Sequence, residues 1–312
     1  PPRHSAEQTL VNLKFTLENE KIFPGMSRHW FLNRIVDESV LQSVLELLDQ
    51  HNESYTIDHF NLTKYSYTSY RFDLLPEADC IHTRRCKSPD GITLGHVQND
   101  KLVSAINVNG VRNKMLEFGK VNSTAQFILP SDGNCFMTQR GWEHMQSDLK
   151  SNLGAKYFLV PMDRIQGETK NEAILIDSYE PNTKPEEPQI MLSRDSMAKF
   201  DPLIRYGYRD KVELFLRLGI PGFWDPWFKA APNLPQLSSP PSSIEVTDVG
   251  TRNITNAGWV VRLSAGTTET ENLKRTFHRT DGITEFVKRL DCRVATDLFN
   301  FSRSRMMVYS HK

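Results

Sequence analysis

Apolar positions near the start of the chain predict a strand, a helix and a second strand. Residues 29–32, HWFL, form a short apolar run that is typical of a buried strand, and residues 55–60 form another. Between them, residues 38–50 carry apolar side chains at helical spacing, which indicates an amphipathic helix. This order of elements predicts a right-handed βαβ unit within a mainly parallel sheet.

A third strand is predicted at residues 127–129, the apolar run FIL. Pro130 ends this strand, and the following residues, SDGN, predict a turn that leaves Asp132 and Asn134 at the strand's carboxyl end. Ligands of open α/β sheets bind at this end of the strands. The turn is therefore the first place to look for functional chemistry.

The remaining patterns complete an α/β arrangement. Residues 1–27 are polar and predict an irregular arm, and residues 61–100 lack periodicity and predict a long loop region. Further helices are predicted at residues 101–120, 139–149, 210–218 and 281–290, with one more helix capped by Asp195. Further strands are predicted at residues 157–160, 174–176, 189–192 and 259–263, whereas residues 163–172 predict a loop.

A change in composition divides the chain late in the sequence. Residues 230–243, AAPNLPQLSSPPSS, are rich in proline and serine, which is typical of a linker or an extended strap. We therefore predict an N-terminal arm at residues 1–27, a main α/β domain at residues 28–229, the strap, and a C-terminal extension at residues 244–312 that packs on the core.

Overall composition narrows the partners more than the activity. The 312 residues are 38% hydrophobic and 24% charged, as in an ordinary globular protein, and the formal net charge is zero. This balance gives no electrostatic case for nucleic acid or an anionic membrane as the main partner. No apolar run approaches the roughly 18 residues that a spanning helix needs. Because the chain opens with Pro1-Pro2-Arg3, as a trimmed sequence would, we allow for a leader or membrane anchor ahead of it.

Glycosylation signals favour the secretory pathway, with the cytoplasm as the alternative. Five N-x-S/T sequons, a mild excess over chance, occur at Asn52, Asn61, Asn122, Asn253 and Asn300. In an oxidising compartment, the cysteines of the CIHTRRC segment, Cys80 and Cys86, could close a short disulfide loop; in the cytosol they would be free thiols.

The segment at residues 107–138 carries the strongest functional signal. It places Asn109, Arg112 and Asn113 on a helix before the strand that ends in the Asp132-Gly133-Asn134 turn. This arrangement resembles the GT-A glycosyltransferases, in which such a helix and strand precede a D-x-D metal motif. The resemblance implies a GT-A-like, Rossmann-type mixed sheet flanked by helices. It also places the three helix residues along the site of a nucleotide-diphosphate sugar.

The same resemblance implies a divalent cation, Mn²⁺ or Mg²⁺, at the turn. Carboxylate and amide oxygens suit both ions, so Asp132 and Asn134 are the candidate metal ligands, and His278 is a third because such enzymes often add a late histidine. Asp132 is thereby also a catalytic candidate. The asparagine in place of a second aspartate weakens the expected affinity for the metal and puts strict metal dependence in doubt.

Polar residues after the first predicted strand are candidates for contact with the nucleotide. The resemblance implies that Asn33, Arg34 or Asp37 faces the base or ribose, and an arginine fork can also hold phosphate. The alternative is structural. Asp37 would then cap the helix at residues 38–50, and Arg34 would pair with a carboxylate.

Two later acidic positions are further catalytic candidates. Glu187 belongs to an acid pair before a short strand and could supply the general base that an inverting transferase needs. Asp201 opens the charged stretch DPLIRYGYRDK, and the resemblance implies site acids and phosphate-binding bases in such a segment. The alternatives are a solvated loop charge for Glu187 and a salt-bridged start of a helix for the stretch that begins at Asp201.

The sequence therefore favours a metal-dependent glycosyltransferase that moves a sugar from a nucleotide-sugar donor to a glycan or protein hydroxyl. One alternative is a catalytically inactive GT-A-like module that binds a glycan or a nucleotide. A second alternative is a metal-assisted hydrolase that uses the same turn.

Overall fold

The computed structural model describes residues 6–72, 97–165, 171–175, 179, 181, 187–207, 210–220, 222, 254–263 and 282–297. The helices within these parts are α1 (Ala6–Asn19), α2 (Glu38–Gln50), α3 (Leu62–Ser66), α4 (Asn99–Ile106), α5 (Val108–Asn122), α6 (Gln139–Ser151), α7 (Val212–Arg217) and α8 (282–297), with a 3₁₀ helix at Asn171–Leu175. The strands are β1 (Trp30–Asn33), β2 (Tyr55–Asp58), β3 (Phe127–Ile128), β4 (Cys135–Phe136), β5 (Tyr157–Val160), β6 (Met162–Arg164), β7 (Gln189–Ser193), β8 (Ile254–Asn256) and β9 (Val260–Arg262).

The predicted strand–helix–strand order of the opening unit is confirmed, although β1 and β2 form a two-stranded sheet of their own among the described residues. β1 and β2 pair in parallel, and α2 connects them. Asp37 caps this helix, because its carboxylate accepts hydrogen bonds from the backbone N–H groups of Ser39 and Val40. The chain thus has an α/β fold. Its sheets are mixed rather than mainly parallel, since three of the six described strand pairings are antiparallel.

A four-stranded sheet forms the centre, in the order β3-β7-β5-β8. Successive residues of its strands point to opposite faces, so Ile190 and Met191 enter different apolar clusters. The cluster around Ile190 includes Leu116 of α5 and Phe215 of α7, whereas the cluster around Met191 includes Met145 of α6. Helices therefore cover both faces of this sheet.

Two strand segments continue from this sheet into a smaller one, ordered β4-β9-β6. β5 and β6 are separated only by Pro161, and β8 and β9 run parallel to them across both sheets. The backbone ladder persists across the junction, because the N–H of Val260 donates to the carbonyl of Pro161 at 2.9 Å. In the small sheet, Cys135 is the partner of Arg262, which brings the end of β9 beside the predicted metal turn.

Several local predictions were wrong for identifiable reasons. The arm predicted as irregular contains α1, whose Leu13 and Leu17 pack against α2, so tertiary contact stabilises a helix of weak amphipathic pattern. The single helix predicted at residues 101–120 is two helices, because Asn107 caps a new one by accepting from the N–H of Gly110.

Three later predictions also need correction. Ile174 and Leu175, the described part of the strand predicted at 174–176, end a 3₁₀ helix. Asp195 accepts a hydrogen bond from the hydroxyl of Ser193 in a turn, and no helix begins there. Residues 162–164 form β6, although residues 163–172 predicted a loop.

Other predictions concern parts of the chain outside the description or the surface. The whole strap and most of the extension lie outside the described residues, as do Cys80, Cys86, Asn253 and Asn300. The other three sequon asparagines, Asn52, Asn61 and Asn122, are exposed, as attachment of a glycan would require. None of the helices that are described is long and apolar enough to cross a bilayer.

Gly258 controls the junction between β8 and β9. Its φ of 48° lies in the left-handed region, and a Cβ there would meet the carbonyl oxygen of Gly141 at 2.3 Å. Replacing Gly258 by alanine should lower the free energy of unfolding by about 1–3 kcal/mol, through backbone strain and overpacking against α6. Denaturant unfolding measures this change. Gly154→Ala is the matched control, because no atom lies within 4 Å of a Cβ there; an equal loss in both variants would contradict the prediction.

Candidate functional site

Charged side chains from separate segments meet at the carboxyl end of β3. We call this group the charged cluster and define it as Arg112, Asp132, Glu187, Asp210 and Lys211. α5 supplies the arginine, the turn after β3 supplies Asp132, and the segments before β7 and α7 supply the rest. Arg112 and Asp132, two of the site residues named from the sequence, are in direct contact within this cluster.

Arg112 is the most tightly held member of the charged cluster. Its guanidinium donates to Asp132 Oδ1 at 2.9 Å, to Asp210 Oδ2 at 2.7 Å and to Asn109 Oδ1 at 2.8 Å. The side chain is buried, and it lies over the ring of Phe200. Burial lowers the pKa of Arg112, but Asp132 and Asp210 outweigh burial and hold that pKa above its usual value. The guanidinium therefore stays charged and is committed to its protein partners.

Asp132 has a partner on each carboxylate oxygen. Oδ1 accepts from Arg112, and Oδ2 accepts from the amide of Gln189 at 3.3 Å and lies 3.9 Å from the Lys211 ammonium. Burial raises the pKa of Asp132, but the cations Lys211, Arg112 and Arg262 together hold it well below the usual carboxyl range. Asp132 is thus an anion surrounded by positive charge, with 27% of its side chain exposed.

Lys211 and Glu187 form a looser pair at the edge of the charged cluster. The ammonium of Lys211 lies 3.4 Å from Glu187 Oε1, longer than a usual N⁺–H···O⁻ bond. The lysine side chain is only 3% exposed, whereas that of Glu187 is 32% exposed. The charged cluster therefore opens to solvent on the side of Glu187 and Asp132.

Gln189 and Cys135 border the charged cluster beneath Asp132. The Gln189 amide nitrogen also lies 3.3 Å from the Cys135 sulfur, and its oxygen is buried with no hydrogen-bond partner among the described residues. Burial and the negative charge of Asp132 raise the pKa of Cys135 to about 11. Cys135 is consequently a protonated thiol near neutral pH.

Two of the predicted helix residues support the site from behind. Asn109 is fully buried, and its amide donates to the backbone carbonyls of Asp201 and Asp210 at 2.8 and 2.6 Å. Asn113 exchanges two hydrogen bonds of 2.8 Å with the backbone of Phe200. These amides hold the segment that carries Asp210 and Lys211 against α5. Their described contacts are with protein, so their assignment to the donor site stays a prediction.

Asp201 lies behind the charged cluster and does not extend its carboxylate into it. Its Oδ1 accepts from the backbone N–H of Leu203 at 2.8 Å, which closes a turn. A catalytic role for Asp201 has no support from these contacts. Of the two later acidic candidates, Glu187 is the one that joins the charged cluster and reaches solvent.

The residues predicted to contact the nucleotide lie at the ends of β1 and α2. Arg34 adopts a φ of 50°; its guanidinium donates to Asp58 and to the carbonyls of Val103 and Ser104. The described contacts of Arg34 and Asp37 correspond to the structural alternatives, a carboxylate pair and a helix cap. The side-chain oxygen of Asn33 is buried without a partner among the described residues.

Two cavities lie outside the charged cluster. One of about 80 Å³ is lined by Ile35, Asp58, Phe60 and other residues at the carboxyl ends of β1 and β2. Another of about 370 Å³ is lined by side chains that include Met137 and Tyr179. The first cavity adjoins the predicted nucleotide contacts. The buried ion pairs on which the candidate site rests lie instead in the charged cluster.

The arrangement around Asp132 does not fit a divalent cation held by that carboxylate. Both of its oxygens already contact donors, and Arg112 and Lys211 would repel a metal ion at the same position. Asn134 uses its backbone carbonyl to accept from Leu263 at 2.8 Å, and His278 lies outside the described residues. Within the described parts of the chain, no three His, Cys, Asp or Glu side chains are grouped as metal ligands.

Sequence reasoning left several members of the site out of the predicted set. Asp210 and Lys211 were visible as part of a charged stretch, but only the fold shows which of its charges face Arg112. Gln189 begins an apolar strand, so a polar residue at this position could be noticed in the sequence. Only the structure shows that its side chain is fully buried. Arg262 reaches Asp132 only through the pairing of β9 with β4, which has no local signature.

Comparison with known proteins adds no relative. No protein-family model matches the chain, and neither a curated protein nor a solved structure matches it. The functional argument therefore rests on the geometry of the charged cluster.

Removing Arg112 should destabilise the fold severely. Arg112→Met leaves Asp132 and Asp210 without their main partner, and breaking a buried pair in this way costs about 3–5 kcal/mol. Lys114→Met is the control, because Lys114 is exposed and its partner Asp58 keeps Arg34. Denaturant unfolding of both variants provides the measurement. A loss below about 1 kcal/mol for Arg112→Met would contradict the account of Arg112 as the central contact.

Acid should weaken the protein partly through Asp132. Because its folded pKa is depressed, its ionised form stabilises the fold above the unfolded carboxyl pKa of about 3.9, and this contribution is lost as the pH falls below that value. Unfolding free energies measured from pH 7 down to pH 3 should fall less steeply in Asp132→Asn than in the wild type. Parallel pH profiles would show that Asp132 is not held as a stabilised anion.

Proposed function

We propose that the protein is a glycosyltransferase, which moves a sugar from a nucleoside diphosphate donor to a hydroxyl acceptor, and that the donor's diphosphate binds at the charged cluster. The observation that carries the proposal is the convergence of buried charges at the carboxyl end of β3. Ligands of α/β sheets bind at this end, and Asp132 and Glu187 are open to solvent there.

Positive charge beside the leaving group is what sugar transfer from such a donor needs. As the bond to the sugar breaks, negative charge builds on the diphosphate, and fixed cations in a partly water-excluded site stabilise it. Lys211 and Arg262 both lie near enough to Asp132 for their positive charges to lower its pKa. Arg112 fixes the positions of Asp132 and Asp210, so its role is to position the site.

Glu187 is the candidate base for the acceptor hydroxyl. It is the solvent-accessible carboxylate of the charged cluster that Arg112 does not hold, so an acceptor can reach it. A Mn²⁺ or Mg²⁺ ion stays a hypothesis from the family resemblance. We assign no step to it, because the described side chains around Asp132 already balance its charge.

A binding module without turnover is the second candidate. The observation that favours it is the close balance of the charged cluster, in which Arg112 is saturated by protein partners. A glycan or nucleotide could then be recognised at the same edge without a transfer reaction. Detection of a transferred sugar on an acceptor separates this module from an enzyme.

For the localisation, we propose the secretory pathway, with the cytoplasm as the alternative. The exposure of Asn52, Asn61 and Asn122 supports this, since a glycosyltransferase domain there would meet both nucleotide sugars and the glycosylation machinery. Mass spectrometry of protein from secreting cells, with and without removal of N-linked glycans, tests the proposal through occupancy of these three sites.

Nucleoside diphosphates should bind more tightly than the matching nucleosides. Charge-assisted contacts to phosphate contribute about 1.5–3 kcal/mol each, so uridine or guanosine diphosphate should bind at least about 10-fold more tightly than uridine or guanosine. Titration calorimetry of the full chain, with Mn²⁺ and separately with a chelator, provides the measurement. Equal affinity for nucleoside and diphosphate, or no binding under either condition, would overturn the proposed site.

A further inference from the structure

Lys211 differs from Arg112 in how its charge is satisfied. The Lys211 ammonium lies 3.4 Å from a carboxylate oxygen of Glu187 and 3.9 Å from one of Asp132. Arg112, in contrast, makes three hydrogen bonds of 2.7–2.9 Å. A buried ammonium is stable only with close anionic or polar partners. Lys211 is therefore the cation of the charged cluster whose contacts leave the most to gain from a ligand.

Glu187 is the carboxylate that can leave most easily. Asp132 and Asp210 both accept short hydrogen bonds from the buried Arg112. Glu187 instead contacts Lys211 at 3.4 Å, and about a third of its side chain, 32%, is already exposed. Its carboxylate can turn further into water, where the hydration it gains offsets the loss of the loose contact with Lys211.

The group around Asp132 gains a net positive charge when Glu187 leaves. With Arg262 counted, the described residues around Asp132 provide three cations, Arg112, Lys211 and Arg262, and three carboxylates, Asp132, Asp210 and Glu187. Moving one carboxylate into solvent leaves one positive charge in excess. A phosphate group is an anion of matching charge that can take the vacated position on Lys211.

We infer that Glu187 is an exchangeable counter-ion, which a phosphate group of the ligand replaces on the ammonium of Lys211. The inference rests on the proposed function and makes it more specific, because it names Lys211 as the phosphate-binding residue. On binding, the Lys211–Glu187 contact breaks, the Lys211–phosphate contact forms, and Glu187 becomes free beside the ligand.

An unpartnered buried atom in a residue that shares Asp132 with Lys211 is a second, independent sign of a ligand. The Gln189 amide nitrogen and the Lys211 ammonium both lie within 4 Å of Oδ2 of Asp132, at 3.3 and 3.9 Å. The amide oxygen of Gln189 is buried and lacks a hydrogen-bond partner among the described residues, although the side chain is fully buried. A ligand hydroxyl or N–H group that donates to this oxygen would satisfy it.

The exchange predicts opposite effects for the two members of the pair. Glu187→Gln removes the competing carboxylate and should tighten binding of uridine diphosphate and of inorganic pyrophosphate by about 2- to 5-fold. Lys211→Met removes the anion's partner and should weaken both by about 10-fold or more. The doubly substituted K211M/E187Q protein keeps the charge balanced and should fold even if Lys211→Met does not, and it should bind as weakly as Lys211→Met.

A matched control is available on the surface. Lys199 and Glu117 form an exposed pair at 3.8 Å, so Lys199→Met and Glu117→Gln remove the same charges away from the charged cluster. Both should leave the affinity within about twofold. Calorimetric titration of all variants in chelator, repeated with Mn²⁺, gives the affinities.

The outcomes separate the inference from the proposed function. Weaker or unchanged binding in Glu187→Gln, or unchanged binding in K211M/E187Q, overturns the exchange while leaving a diphosphate site in place. Binding that requires Mn²⁺ in the wild type also overturns it, because Lys211 would then not be sufficient. If neither uridine or guanosine diphosphate nor pyrophosphate binds the wild-type protein under either condition, the proposed function itself fails, together with the inference that rests on it.

Discussion

Burial of one guanidinium organises the site. Arg112 is taken almost completely out of water, and a cation in that environment is stable only if carboxylates come with it. Asp132 and Asp210, which follow Arg112 by 20 and 98 residues in the chain, meet this need, and Asn109 accepts a third hydrogen bond. The contact therefore fixes the turn after β3 and the start of α7 relative to α5.

The junction of the two larger sheets brings a further positive charge, that of Arg262, to the site. Because β5 continues into β6, and β8 into β9, each pair of parallel segments extends from the central sheet into the small one. Gly258 permits the close approach of this junction to α6, where any side chain would collide with the backbone. The result is that Arg262 ends beside Cys135, the residue directly after the turn, and adds positive charge near Asp132.

Elements with strong local signals were predictable, and those that depend on tertiary contacts were not. The β1–α2–β2 unit follows from apolar spacing and from the cap at Asp37. In contrast, α1 is stabilised by packing against α2, and the antiparallel insertion of β7 between β3 and β5 has no signature in a single sequence. The only local sign of the break at Asn107 was a nearby glycine, which weakens a helix. An asparagine side chain that caps a new helix competes with continuation of the previous one, and a single residue can decide the outcome.

Sequence reasoning named Arg112, Asp132 and Glu187 as site residues, but only the fold shows the bonds that they make. The turn with Asp132 and the helix with Arg112 do meet, but they bond to each other, so neither is left in the form that a metal or a phosphate would meet first. A buried ion network of this kind is a costly way to hold a fold, since well-packed apolar side chains of similar volume are often as stable. Stabilisation of the fold alone accounts poorly for Lys211, because its contacts with carboxylates are long. The amide oxygen of Gln189, which shares Asp132 with Lys211, is also without a partner among the described residues. A network with one tightly bonded cation and one loosely bonded cation is better explained as a fixed frame with a place for an anion.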